Sequence, residues 1–278
     1  MRRTAHCSLQ FSIFNLAFSF MKLIVLGSGT SVPHPRRASA ALWLETKAGS
    51  ILLDCSADAA HRMAAEKVNW PDLDAIWISH LHLDHCGGLA SLLFGLKWSP
   101  QTQERRKPLK IFACPGTKKL VQAIDESNDY GLFELPFPIS LTEVSEYEFE
   151  ILPRVRAQTF STPHTRESLA IRISDAEGAS LAYSSDTGYS EELAEFARDT
   201  DLFVLECSFR RDKPTGKHLE LADAMRLAKL ARPRKLLLTH LYPEWDGIDL
   251  EDQAHTLWTG ETVMAFDGLR IDIDKARE

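Results

Sequence analysis

The chain lacks the cysteine pattern of a disulfide framework. Its five cysteines, Cys7, Cys55, Cys86, Cys114 and Cys207, are scattered and odd in number, and no C-x-x-C pair occurs. That argues against a stapled secreted module and for a reducing, cytoplasmic setting. Long hydrophobic runs are also missing. The apolar stretches fall well short of the roughly 20 residues that cross a bilayer, so no stable membrane partner is expected. Positive charge is in deficit: 32 Lys and Arg stand against 39 Asp and Glu, for a net charge of -7. An acidic total argues against broad, non-specific nucleic-acid binding but leaves room for a local basic rim. There is no internal repeat, low-complexity tract or obvious linker. With 278 residues the chain is long enough to bury a sizeable core.

One segment is out of character. Residues 1–20, "MRRTAHCSLQFSIFNLAFSF", open with two arginines and turn Phe-rich. They read as a leader of doubtful relevance ahead of a domain at 21–278, because Met21 begins a clean buried strand and a glycine turn, "MKLIVLGSGT". A signal peptide or a surface-lying amphipathic segment are the alternatives. Ser8, Gln10, Ser12, Asn15 and Ser19 interrupt the apolar stretch, and no A-x-A-like site follows.

Short apolar runs with turn-type flanks predict strands at 22–26, 41–44, 51–53, 75–78, 110–113, 168–173, 180–183, 202–205, 235–238 and 261–266. Between them lie helix candidates: 57–67, 89–96, and a segment led by Pro115 and carrying Leu120, Val121 and Ile124. Ser190 is placed to cap a helix over 191–198 with acids in its first turn. A helix over 219–231 puts Leu221, Leu227 and Leu230 near one face and ends before Pro233. Pro136 and Pro138 mark a loop. This mixture predicts an α/β fold of two sheets sandwiched between helices. The turn "GSGTSV" is a poor dinucleotide fingerprint: Val32 stands where the third glycine belongs, and Pro33 where a helix should begin.

The densest chemistry is in "AIWISHLHLDHCGG". In extended chain, residues two apart share a face, so His80 and His82 point one way and Leu81 and Leu83 the other. Asp84 and His85, past the turn, present two more donors from a second direction. Imidazole and carboxylate suit a borderline divalent ion, and two pairs from two directions suit two adjacent ions. The glycines after Cys86 let the backbone pass close by.

H-x-H-x-D-H at a strand end resembles the metallo-β-lactamase superfamily. Further matches follow in the superfamily's order: His164 in "STPHT", Asp186 in "YSSDTG" and His240 in "LLLTHLYP". The resemblance implies a four-layer αββα sandwich. It implies that His80, His82 and His164 bind one ion, that Asp84, His85 and His240 bind a second, and that Asp186 bridges them. Zinc is the ion the ligand types favour, with manganese or iron as alternatives. A divalent ion brings its water's pKa to about 7, which readies a nucleophile at neutral pH. Asp84 would orient that nucleophile. Cys86, beside a ligand, reads as a small buried residue.

Glu206 after a strand, and His218 in "TGKHLE" taken for that branch's later "G-H" opening a helix, narrow the resemblance to the ribonuclease Z-like branch. This implies attack on phosphorus, with His218 protonating the leaving oxygen and Glu206 supporting it. Arg210, Arg211, Lys213 and Lys217 lie between them as a candidate phosphate rim. "GSGTSVPHPRR" is similar to that branch's opening loop, which would bring His34, Arg36 and Arg37 near substrate. The expected partner is a phosphodiester, either RNA or a small nucleotide, and a homodimer is implied. One departure matters. Bacterial ribonuclease Z inserts a long transfer-RNA-gripping arm between the positions matching His164 and Asp186. Here that interval reads as two short strands and a turn at Glu177–Gly178. A cyclic nucleotide or a short nucleic-acid end is therefore a rival to precursor transfer RNA. A same-fold thioesterase, lactonase or sulfatase, and a non-catalytic metal- or RNA-binding scaffold, complete the alternatives.

Overall fold

A computed structural model describes residues 21–275; the leader at 1–20 lies outside the described residues. In chain order the strands are β1 (Met21–Gly27), β2 (Ala41–Thr46), β3 (Gly49–Leu53), β4 (Ala75–Ile78), β5 (Leu109–Ala113), β6 (Ile139–Glu143), β7 (Glu148–Leu152), β8 (Val155–Ser161), β9 (Leu169–Ser174), β10 (Ser180–Tyr183), β11 (Leu202–Glu206), β12 (Lys235–Thr239), β13 (Glu261–Met264) and β14 (Arg270–Asp272). They make two seven-stranded sheets, ordered β14-β1-β2-β3-β4-β5-β6 and β13-β12-β11-β10-β9-β8-β7. The helices are α1 (Ala59–Ala65), α2 (Leu83–Cys86), α3 (Leu89–Trp98), α4 (Thr117–Asn128), α5 (Glu191–Phe196), α6 (Leu221–Ala231) and α7 (Leu250–His255).

Three apolar layers separate four structural ones. Alternate residues of a strand face opposite ways, and the buried strands use both faces. Ala75 and Trp77 of β4 point between the sheets, where they meet Ile171, Leu181, Val204 and Leu237. Ile76 and Ile78 point outward onto Met63, Leu89, Leu93 and Val121 of α1, α3 and α4. On the other side, Phe203, Leu205, Leu236 and Leu238 pack on Leu193, Ala224, Leu227 and Leu250 of α5, α6 and α7. The molecule is thus the expected αββα sandwich. Strands covered on both faces read as unbroken apolar runs, which is why every run singled out in the sequence coincides with a strand, although 168–173 starts one residue before β9 and 261–266 runs two residues past β13.

The strands that were not anticipated are of another kind. β6 has only half-buried and exposed residues, β8 alternates buried with exposed, and β14 is three residues long. β7 is an edge strand whose first three residues are exposed or half-buried. Three helix details differ from expectation. Pro115 precedes the helix, and Gly116 takes the N-cap position with φ 99°. Ile124 is exposed on α4. Leu230 is exposed on α6, because it lies about 200° round the helix from the buried Ala228.

Strands β3 to β6 run parallel, as do β10 to β13. Their carboxyl ends collect the loops of both sheets on one rim, the usual place for ligands in parallel sheets.

Candidate metal centre

Most of the donors sit where a strand gives out. Asp54 follows β3, His80 and His82 follow β4, His164 follows β8, Asp186 follows β10, Glu206 ends β11 and His240 follows β12. Asp84 and His85 lie in α2, a single turn in which His85 N and Cys86 N both donate to His82 O, at 2.9 and 3.0 Å. The turn swings these two side chains off the strand direction. Asp54, Ser185 and His240 hold φ values of 59°, 51° and 59°, a left-handed conformation that costs a non-glycine residue about 1 kcal/mol or more. Both glycines after Cys86 lie against backbone: a Cβ on Gly87 would stand 2.4 Å from Leu83 O, within α2 itself. A Cβ on Gly88 would stand 2.0 Å from Ser56 O, so its close approach is to the loop after β3.

The fold gathers all seven donors singled out in the sequence. The ligand atoms of His80, His82, His164 and Asp186 lie within 4.8 Å of one another, as do those of Asp84, His85 and His240. Asp186 joins the two groups: its Oδ2 is 3.7 Å from His80 Nε2 and 3.6 Å from His164 Nε2, and its Oδ1 is 3.1 Å from His85 Nε2 and 3.2 Å from His240 Nε2. Asp84 Oδ2 is 3.5 Å from His240 Nε2, and His82 Nδ1 is 3.1 Å from His164 Nε2. Adjacent ligands around one ion, with bonds of about 2.1 Å at tetrahedral angles, stand about 3.4 Å apart.

Hydrogen bonds behind the rings decide which nitrogen faces inward. Buried Asp54 accepts from Ser79 N (2.8 Å), Ser79 Oγ (2.9 Å), the Tyr183 hydroxyl (3.0 Å) and His85 Nδ1 (2.7 Å). A carboxylate only accepts, so His85 carries its proton on Nδ1. Ser79 spends its single proton on Asp54 and therefore accepts from His80 Nδ1 at 2.9 Å. His164 Nδ1 donates to Lys217 O at 2.9 Å. On the other sheet, Ser208 Oγ donates to Glu206 Oε2 (2.6 Å) and lies 2.9 Å from His240 Nδ1. In the neutral, metal-binding form of each of these four rings Nε2 is left as a lone pair aimed at the centre.

Nε2 of His80, His85 and His240, and Asp186 Oδ1, are buried without any hydrogen-bond partner. Orphaned polar atoms are costly, and lone pairs packed against a carboxylate repel. A cation among them reverses both terms, so the donor set fits divalent metal ions. Electrostatics agree. Burial, then neighbouring His85, pushes His80 down to about 2. Burial also works against charge on His85, but Asp186 and Asp54 outweigh it and hold that imidazole well above its usual value. Burial would raise Asp84, yet the hydrogen bond with His240 and the charge of His85 bring it down to about 2. His80 is thus kept neutral, the form that binds a metal, while Asp84 and the carboxylates around His85 call for positive charge, which protons or metal ions supply alike.

Beside the cluster stands the second expected pair. His218 Nδ1 donates to Glu206 Oε1 at 3.0 Å. Glu206 is fully buried and also accepts from Thr187 N (2.7 Å) and Leu219 N (3.1 Å). Burial opposes a charge on His218, but the hydrogen bond and charge of Glu206 prevail and raise its pKa. The donor atom of His218 lies within 4.8 Å of those of Asp186 and His240.

The basic segment divides. Arg210 Nε bonds Gln253 Oε1 at 3.0 Å and Lys213 Nζ pairs with Asp223; Arg211 and Lys217 are exposed. In the opening loop, His34 and Arg37 are buried against Asp246, at 2.8 and 2.5 Å, while the Arg36 side chain is 71% exposed. The sequence reading missed Asp54, Ser79, Tyr183 and Ser208. Asp54 had a signal, an acid closing the apolar run "ILLD"; the others had none.

Among the described residues no helix is long and apolar enough to cross a membrane. In comparisons with known proteins, the profile of the family described as Anti-Pycsar protein Apyc1 matches residues 21–263. An uncharacterised protein of Mycobacterium leprae is 32% identical over 207 residues, which are 71% of this chain and 70% of that protein. Ribonuclease Z of Clostridioides difficile is 24% identical, covering 91% of this chain and 99% of that one. The crystal structure of YhfI from Bacillus subtilis, a metallo-β-lactamase fold protein, superposes with TM-score 0.76 at 24% identity, over 91% of this chain and 99% of that one. The superfamily is the expected one and ribonuclease Z is among the relatives, but the matching family is another. On the metallo-β-lactamase fold, the chain belongs to the Anti-Pycsar protein Apyc1 family.

Proposed function

We propose that the chain is a two-metal hydrolase of phosphodiester bonds acting on a small nucleotide, with a cyclic nucleotide as the first candidate. The observation that carries the reading is the shape of the interval from His164 to Asp186. It holds only β9, a turn through Gly178 and β10, and both strands lie inside the second sheet. Nothing there projects to grip a folded RNA.

In this reading His80, His82 and His164 hold one ion, Asp84, His85 and His240 the other, and Asp186 both. Divalent ions, zinc first among them, supply positive charge against the phosphoryl oxygens and a nucleophile at neutral pH. Asp84 orients the attacking oxygen by accepting a hydrogen bond from it. His218 gives the proton on Nε2 to the departing oxygen, while Glu206 keeps Nδ1–H in place and the ring aligned. An alkoxide leaves poorly without such a proton, which favours phosphodiesters over thioesters and lactones. Arg211 and Lys217 are the exposed cations available to substrate phosphate, with Arg210 and Lys213 behind them. The four described cysteines are free and buried, which supports a cytoplasmic setting. A homodimer would cover the exposed Phe94, Trp98 and Tyr130.

A second reading, cleavage at the end of an RNA, is favoured by the ribonuclease Z likeness over nearly the whole of both chains. Metal analysis joined to a screen of cyclic nucleotides against transfer-RNA precursors separates the two. Chelator-sensitive turnover of the cyclic nucleotides is expected, and turnover of precursors alone would overturn the first reading. His218→Ala should slow substrates with poor leaving groups far more than p-nitrophenyl esters. Equal losses would remove its role as proton donor.

A further inference from the structure

We infer that Ser208 is a positioning residue that sets the tautomer of His240, so that one buried carboxylate, Glu206, governs both the proton donor His218 and a metal ligand. The inference rests on the reading that Asp84, His85 and His240 hold an ion.

The chain of donors leaves no freedom. Glu206 Oε2 can only accept, and Ser208 Oγ lies 2.6 Å from it. The hydroxyl has one proton and gives it there. His240 Nδ1, at 2.9 Å from the same oxygen, must then be the donor, and Nε2 is left as the lone pair facing Asp186 and Asp84. Ser208 is fully buried, so water does not compete for the hydroxyl. His218 takes the other oxygen, Oε1, at 3.0 Å, and its Nδ1 is 3.4 Å from Ser208 Oγ. The first sheet repeats the device: Ser79 stands between Asp54 and His80 as Ser208 stands between Glu206 and His240. Each sheet therefore supplies one carboxylate, one serine relay and one histidine so aligned.

The two branches from Glu206 can be cut separately. Ser208→Ala removes the acceptor from His240 Nδ1, but Glu206 keeps Thr187 N, Leu219 N and His218 Nδ1 as donors. The proton-donor branch survives and the metal branch fails. Loss of a partner behind a metal-bound histidine weakens metal affinity about 10- to 100-fold.

The test is zinc binding by chelator competition, with metal content measured directly. The parent is expected to bind two zinc ions. Ser208→Ala should hold one of them about 10- to 100-fold more weakly and the other unchanged. Ser208→Thr, which keeps the hydroxyl, should restore both. Ser180→Ala, at a buried serine bonded to Asp201 at the far end of β10, should leave zinc binding intact. Long-range proton–nitrogen NMR on the zinc-loaded parent, assigned with His240→Gln, needs no folded serine variant and should find the His240 proton on Nδ1. A proton on Nε2, or parental binding of both ions by Ser208→Ala, would overturn the inference while leaving the metal site standing. A parent that binds no zinc would remove the metal reading itself.

Discussion

Asp54→Asn changes one atom at the point where both sheets meet behind the metal centre. The carboxylate accepts from Ser79 N, Ser79 Oγ, the Tyr183 hydroxyl and His85 Nδ1. Asparagine is isosteric, and its oxygen can still accept from Ser79 N, so the backbone after β4 keeps its anchor. The new NH2 takes the Oδ2 position, 2.7 Å from His85 Nδ1, where two donors cannot coexist. The ring must move its proton to Nε2, which faces Asp186 Oδ1 at 3.1 Å, and the lone pair meant for metal is gone. A hydrogen bond to a charged group is worth about 1.5–3 kcal/mol. At about 1.36 kcal/mol per decade, that is a loss of roughly 10- to 150-fold in metal affinity, in line with the effect of removing other partners behind metal-bound histidines. The assay is zinc competition against a chelator of known affinity, with urea unfolding of the metal-free protein as the control for stability. Parental zinc affinity in a folded Asp54→Asn protein would refute the reasoning, because His85 would then not depend on Asp54 for its tautomer.

Asp84→Asn and His82→Ala should each abolish turnover while the circular dichroism spectrum is kept, since neither side chain packs in the core; near-parental rates in zinc-replete buffer would refute their assignment. Glu206→Gln should move the alkaline limb of the pH–rate profile to lower pH. The protonated His218 donor is lost as pH rises through its pKa, and the substitution removes the hydrogen-bonded charge that raises that pKa against burial; a limb that stays put would separate Glu206 from the proton donor. Leu237→Ala, at a fully buried site between the sheets, should cost about 2–5 kcal/mol in urea unfolding, and a loss below about 1 kcal/mol would show that the inter-sheet layer is loosely packed.

The elements legible from the sequence are those whose residues are buried on both faces. β4 reads "AIWI" and β10 "SLAY", and both are buried throughout. β8 reads "VRAQTFS" and alternates with solvent, so its identity depends on β7 and β9 lying beside it. The same division runs through the site. His80, His82, Asp84 and His85 announce themselves because one strand end carries them all. His164, Asp186 and His240 were found by their order in a known pattern, and would have said little alone.

Residue types and local spacing by themselves determined two sheets between helices and the donors His80, His82, Asp84 and His85, because burial on two faces and metal ligation both demand particular side chains at particular positions; the resemblance to a known superfamily supplied His164, Asp186 and His240. Which nitrogen of each ring faces the centre was decided only by the tertiary structure. Tyr183 reaches Asp54 across 129 positions, Ser185 reaches Ser79 across 106 and His240 reaches Ser208 across 32. A serine or tyrosine carries no mark of such a role until folding gives it a single acceptor and takes away its water.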